Sequence, residues 1–190
     1  MSKVPETSAP IAGLIRDRWS PRSFDSAYEI SDQDLLSILE AARWAPSANN
    51  GQPWRFSVAK RGTELHAQIS DGLSGFNRAW APVASVLIVV SVKKDEDGTS
   101  SKRNFFDAGL SVSLLALQAQ ALGLHSHQMA GIDVEKLQQV LDIPDDLEVA
   151  LVIAVGKRDE PTKLEGPALE RELAPRTRLD LADIVLHGQP

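Results

Sequence analysis

Residues 83–92, Val-Ala-Ser-Val-Leu-Ile-Val-Val-Ser-Val, are almost continuously apolar and rich in β-branched side chains. Such a run, without polar alternation, suits a central strand covered on both faces. It therefore demands packed layers above and below. The chain has 190 residues, the length of one domain, and 43% of them are hydrophobic, enough for a sizeable core. The longest apolar stretch, 81–90, falls short of the ~20 residues that cross a bilayer, and the start Met1-Ser2-Lys3 lacks the apolar run of a secretory signal. The absence of cysteine removes disulfides, thiolate catalysis and zinc ribbons, and fits a reducing compartment. A formal net charge of −6 argues against a broad basic face for nucleic acid. The expectation is a cytoplasmic protein that binds neither membrane nor nucleic acid, organised as one domain over 1–190.

Local patterns fill in the layers. A short helix is expected over 11–19, stopped before Ser20-Pro21. Ser31 and Asp34 resemble a capping box that opens a helix through Leu35, Leu36, Leu39 and Ala42 to about Trp44. The segment 45–53 is loop chemistry. Trp54, Phe56 and Val58 alternate as a strand does, and Leu65, Ala67 and Ile69 repeat the alternation, predicting a hairpin. From about Phe106 to Leu122, Leu110, Leu114, Leu117 and Ala121 recur with Leu115 in the adjacent row, predicting a long buried helix. Asp133 caps a short helix to about Leu141, and 147–155 is another apolar strand. Residues 157–175 are poor in apolar side chains and rich in proline, which predicts an extended tail over 157–190 that turns apolar again at 179–186.

Four constellations could carry chemistry. Arg18-Trp19-Ser20-Pro21-Arg22 gathers two arginines and a hydroxyl, suited to phosphate through the planar guanidinium fork, or else paired with Asp17 and Asp25 on a solvated surface. Residues 44–54, Trp-Ala-Pro-Ser-Ala-Asn-Asn-Gly-Gln-Pro-Trp, form a polar loop whose Asn50 and Gln52 suit a heterocycle's imide edge or a buried turn equally well. In 123–131, Gly-Leu-His-Ser-His-Gln-Met-Ala-Gly, His125 and His127 lack neighbouring ligands for a metal, whereas Ala130 and Gly131 would let a flat ligand approach the backbone, or the segment simply connects helix to strand. Arg176-Thr177-Arg178 is a second arginine pair. No hydrolase elbow, Rossmann glycine pattern or P-loop is present.

Taken together these segments resemble the nitroreductase family of flavoproteins. The likeness lies in Arg18–Phe24, in 45–54, in Asp107-Ala108-Gly109, Gly123-Leu124, Met129-Ala130-Gly131 and Arg176–Leu179, all in the family's order. It implies an α+β fold with a central, mostly antiparallel sheet packed by helices, and an intertwined homodimer with shared active sites. It implies FMN as cofactor and NADH or NADPH as reductant, with electrons passed to a nitroaromatic, quinone or similar small molecule. Arg18, Trp19, Ser20, Arg22, Arg176 and Arg178 would surround the phosphate and ribityl chain. Pro46, Ser47 and Ala48 would lie against the isoalloxazine from the partner subunit, Asn50 would support that loop or contact the flavin, Asn77 would reach the pyrimidine side, and Gln128, Met129, Ala130 and Gly131 would pass the reactive edge. No protein acid, base or metal is implied, since the flavin carries the chemistry. Related readings are dehydrogenation, ene reduction or dehalogenation on the same fold, or a non-catalytic flavin carrier. Trp19 stands where a basic residue is common, Trp80 where some members place lysine, and the short loop after Val92 leaves little room for a covering helix.

Overall fold

The computed structural model describes Lys3 and residues 5–188. Four strands, β1 (Trp54–Lys60), β2 (Val86–Lys93), β3 (His125–Met129) and β4 (Leu147–Gly156), form one antiparallel sheet in the order β1-β2-β4-β3. Among the described residues eight α-helices accompany it: α1 (Gly13–Asp17), α2 (Asp32–Arg43), α3 (Glu64–Asp71), α4 (Gly75–Arg78), α5 (Lys102–Ala121), α6 (Val134–Val140), α7 (Gly166–Leu173) and α8 (Leu181–Ile184).

The run at 83–92 behaves as its composition demands. Residues 86–92 are all buried, and alternate side chains feed two separate cores. Val86, Ile88 and Val90 pack with Ile38, Val112 and Leu115 from α2 and α5, while Leu87 and Val89 join Ile69, Leu137, Trp80 and Met129 on the other face. The sheet is thus the middle of three layers. The strand itself starts at Val86, because Ala81–Val83 turn as a 3-10 helix after Trp80.

Ser31 caps α2 by accepting from the Asp34 amide at 3.0 Å, and its hydroxyl donates to the Asp34 carboxylate at 2.8 Å. Asp133 caps α6 likewise, accepting from the Lys136 amide at 3.0 Å.

Three expectations need correction. Residues 65–69 are helical, not the second arm of a hairpin. Leu65 and Ile69 satisfy an i,i+4 spacing as well as an alternation, and Thr63 decides between them by accepting the His66 amide at 3.2 Å as an N-cap. Ala67, the middle residue of the apparent alternation, is exposed.

The long helix begins four residues earlier than expected and buries a different stripe. Ala108, Ser111, Val112, Leu115 and Ala119 face the sheet and α2, whereas Leu110, Leu114 and Leu117 are half-buried on the flank and Ala121 is exposed. Small residues go to the tight face because α2 approaches closely: Ser111 Oγ donates to the Ala42 carbonyl at 2.9 Å in the buried interface.

The segment 157–175 is not merely extended. It contains α7, whose Ala168 and Glu172, one turn apart, are both buried. The stretch 179–186 does lie open, with Leu179, Leu181, Ile184, Val185 and Leu186 all exposed. Among the described residues no helix is long and apolar enough to cross a membrane.

Candidate functional site

The turn Arg18–Phe24 is laid against the end of β4. Phe24 bridges Arg158, the Asp159 amide donates to the Ser23 carbonyl at 3.1 Å, and Ser23 Oγ donates to the Glu160 carbonyl at 2.8 Å. Beneath it lies His127 of β3, whose Nδ1 is 2.9 Å from the Pro21 carbonyl oxygen. Burial is the main cause that pushes His127 down to about 4, so the ring is neutral and Nδ1 is its donor. His125, two residues earlier, is likewise pushed by burial to about 4. Among the described residues no group of three or more His, Cys, Asp or Glu side chains could hold a metal ion.

Arg22 is the most informative side chain. Its amide donates to Glu172 Oε2 at 2.7 Å. Its guanidinium carbon lies 5.7 Å from the Phe76 ring centre and 6.0 Å from that of Trp80. Its Nε is buried and has no acceptor within the protein. A cation over aromatic rings with an orphaned donor is a prepared place for an anionic or carbonyl-bearing ligand. Trp80, at 1% exposure, forms the floor, stacked on Phe24 at 6.3 Å and tilted against His127 at 4.5 Å.

Around this floor the two ends of the chain meet. Arg18 is half-buried, and desolvation first, then Arg178, hold its guanidinium below the usual range. Its Nη1 reaches Ser20 Oγ at 3.4 Å. Arg176 donates to the carbonyls of Lys3 at 3.0 Å, Arg16 at 2.6 Å and Arg18 at 2.7 Å, so it ties the tail to the amino-terminal segment. Arg178 is exposed. Two adjoining clefts, of about 170 and 840 Å3, open here; Arg18 lines the smaller, Trp19 the larger, and Arg176 and Arg178 both.

Asn77 Nδ2 donates to the Gly131 carbonyl at 3.0 Å, which joins α4 to the turn after β3. Space is tight there: a Cβ on Gly131 would lie 2.8 Å from Asn77 Nδ2 and 3.0 Å from Ser74 Oγ, so those side-chain ends would have to shift. Ala130 and Gly131 are exposed at this rim. Met129 is instead buried in the core beside Trp80, and the Gln128 amide turns to the opposite face, donating to Ser126 Oγ at 3.0 Å. Their side chains do not border the rim.

The 45–53 loop lies elsewhere. Ala48 donates its amide to the buried Asp107 carboxylate at 3.0 Å, and Ser47 Oγ accepts from the Gln52 amide at 3.0 Å. Asn49, Asn50 and Gln52 have φ of 52°, 54° and 45°, a left-handed run that asparagine tolerates better than most residues. Pro46, Ala48 and Asn50 are exposed. This loop feeds β1 at one edge of the sheet, while Met129 ends β3 and Gly131 follows it at the other, three strand spacings or about 14 Å across. Within one chain the structure brings Arg18, Trp19, Ser20, Arg22, Asn77, Ala130, Gly131, Arg176 and Arg178 to one side, and leaves Pro46, Ser47, Ala48 and Asn50 apart from them.

Sequence reasoning missed Glu172 and mistook the significance of His127. Glu172 had no local signal, since its partner amide is 150 positions away. His127 stood in a His-x-His pair, and only burial shows that it supports the Pro21 turn.

The family model described as the nitroreductase family matches residues 15–79 and 73–157. An oxygen-insensitive NADPH nitroreductase of Helicobacter pylori is 36% identical over 66% of this chain and 61% of its own length. An enone reductase of conjugated linoleic acid biosynthesis from Lactiplantibacillus plantarum is 26% identical over 77% of this chain and 85% of its own. A crystal structure described as an oxidoreductase containing FMN superposes with a TM-score of 0.90 at 38% identity, covering 100% of this chain and 97% of that one.

Proposed function

Because the chain belongs to the nitroreductase family, we propose that it is an FMN-dependent oxidoreductase that passes electrons from NADH or NADPH to a nitroaromatic, a quinone or a similar small oxidant, the two substrates binding in turn. The observation that carries this reading is Arg22, with its orphaned Nε over Phe76 and Trp80, beside the Arg18, Arg176 and Arg178 cluster. Those donors fit a ligand with one phosphate and a carbonyl-bearing ring.

Bound FMN supplies the redox chemistry, taking up a hydride and passing two electrons on. The protein's part is to bind and orient. Arg18, Ser20 and Arg178 would hold the phosphate and ribityl chain, with Trp19 alongside and Arg176 bracing the segment that carries Arg18. Arg22, which the resemblance assigns to the phosphate and ribityl chain, would in this reading meet the pyrimidine carbonyls instead, where a fixed positive charge favours electron-rich states of the ring. Asn77, Ala130 and Gly131 would border the ring edge.

The active species in this reading is a homodimer. Pro46, Ser47, Ala48 and Asn50 stand too far from the arginine side within one chain, and reach a flavin only from a partner. The exposed 179–186 stretch and Phe106, 68% exposed on α5, are apolar surface that a second copy would cover. The whole of 1–190 is read as one domain, and the lack of cysteine fits a cytoplasmic site of action.

A second reading, ene reduction by the same cofactor, is favoured by the likeness to the enone reductase. One preparation tests both. The purified protein is expected to release FMN on denaturation and to oxidise NADPH or NADH faster when menadione or nitrofurazone is added; turnover with an enone alone selects the second reading. A colourless protein that apo-reconstitution cannot load with FMN overturns both.

A further inference from the structure

The tail helix α7 carries a buried carboxylate that nothing in the flavin reading uses. Glu172 is 3% exposed and lies on the same helical face as Ala168. A carboxylate on the inward face of a helix is costly unless it is tightly partnered. Its Oε2 accepts the Arg22 amide at 2.7 Å, in the middle of the turn that also bears Arg18 and Ser20. Burial pushes its carboxyl up, against the Arg22 amide and the cations Lys3, Arg22 and Arg158, which all pull it down. The next residue toward the amino terminus, Arg171, places its guanidinium carbon 4.6 Å from the Phe76 ring, the ring that Arg22 also approaches. Lys3 Nζ donates to the carbonyls of Glu172 and Ala174 and pins the end of the helix. Two consecutive side chains of the tail therefore grip the two walls of the candidate flavin pocket, the Arg22 turn and α4.

We propose that Glu172 is a positioning residue: from the tail helix it holds the Arg22 backbone so that the guanidinium stays over Phe76 and Trp80, with Arg171 seating the helix on Phe76. The proposal rests on the flavin reading above. It makes α7 part of the cofactor site through geometry and without contact to the cofactor. What matters in it is the acceptor oxygen at 2.7 Å, not the negative charge. An amide in its place keeps the acceptor and removes a charge that competes for Arg22, so Glu172→Gln and Glu172→Ala should move in different directions.

The test is fluorimetric titration of the apoproteins with FMN, together with apoprotein melting curves, for wild type, Glu172→Gln, Glu172→Ala, Arg22→Ala and the double variant R22A/E172A. The alanine variant should bind FMN about tenfold or more weakly, because it leaves the Arg22 amide without a partner. The glutamine variant should bind as tightly as wild type or tighter. The double variant should be no weaker than Arg22→Ala alone, since a positioning group has nothing left to position. Equal shifts in the Gln and Ala variants, or additive losses in the double variant, overturn the proposal. If the alanine chain does not fold, Glu172→Asp, which withdraws the carboxylate by one methylene, replaces it; wild-type affinity in that variant also overturns it. Wild-type protein that binds no FMN overturns the flavin reading, whereas tight binding that is indifferent to residue 172 overturns only this one.

Discussion

His127 on the edge strand β3 hydrogen-bonds the carbonyl oxygen of Pro21 at 2.9 Å, 106 positions away, and so clamps the arginine turn to the sheet. Burial disfavours the charged ring and outweighs the Pro21 carbonyl, which favours it. Folding therefore lowers the pKa of this histidine from 6.5 to about 4. The unfolded chain binds a proton that the folded one refuses, so stability is full above pH 6.5 and is lost as pH falls toward 4. The loss from His127 is on the order of 3 kcal/mol. His125 acts in the same direction, and Glu172, whose carboxyl is pushed up by burial, acts in the opposite one. Urea unfolding at pH 7.5, 5.5 and 4.5 should show the decline, and His127→Gln should flatten it. A slope unchanged by that variant removes His127 as its source.

The arginines are not equivalent. Arg22 is partly buried with an orphaned Nε, and Arg178 is exposed. Arg22→Ala should weaken FMN binding by about 1.5–3 kcal/mol, roughly 10- to 150-fold, and Arg178→Ala by less. Arg176→Ala should instead lower the melting temperature, because it deletes hydrogen bonds to three carbonyls. Equal flavin affinity in Arg22→Ala and wild type would leave these charges as ordinary surface.

Gly131→Ala should disturb the rim without emptying the core. The new Cβ meets Asn77 Nδ2 at 2.8 Å and Ser74 Oγ at 3.0 Å, so the Asn77 to Gly131 bond must shift. Because both atoms end flexible side chains at an exposed rim, the cost in stability should be small and the main effect weaker flavin binding. Gly98→Ala, in an exposed loop where φ is +80°, serves as a strained control with no effect on flavin. Thermal melts and FMN titration of both variants decide it.

Removal of residues after Pro175 should abolish both dimer and cofactor. It takes away Arg176 and Arg178 together with the exposed Leu179, Leu181, Ile184, Val185 and Leu186. Sedimentation of full-length and truncated chains, with bound flavin quantified in each, makes the comparison. A full-length monomer at micromolar concentration that is fully loaded and active would show that Pro46, Ser47, Ala48 and Asn50 serve some other end.

Local chemistry was legible in the residues themselves. The β-branched run at 83–92 announced a doubly covered strand, Ser31 and Asp133 announced helix starts, and the paired arginines and the 45–53 loop marked a family with a known cofactor, because each of these depends on neighbours a few positions apart. Where local patterns were degenerate, packing decided. Leu65 and Ile69 fit strand and helix alike until Thr63 capped the turn, and α5 buried Ala108, Ser111 and Ala119 beside Leu115 rather than Leu110, Leu114 and Leu117 because α2 lies close. What no local pattern could carry was distance: Glu172 under Arg22, His127 under Pro21, Asn77 on Gly131, and the width of the sheet between the 45–53 loop and β3. Those relations come from strand order and helix placement, which bring Glu172 and Arg22, 150 positions apart, within hydrogen-bond reach.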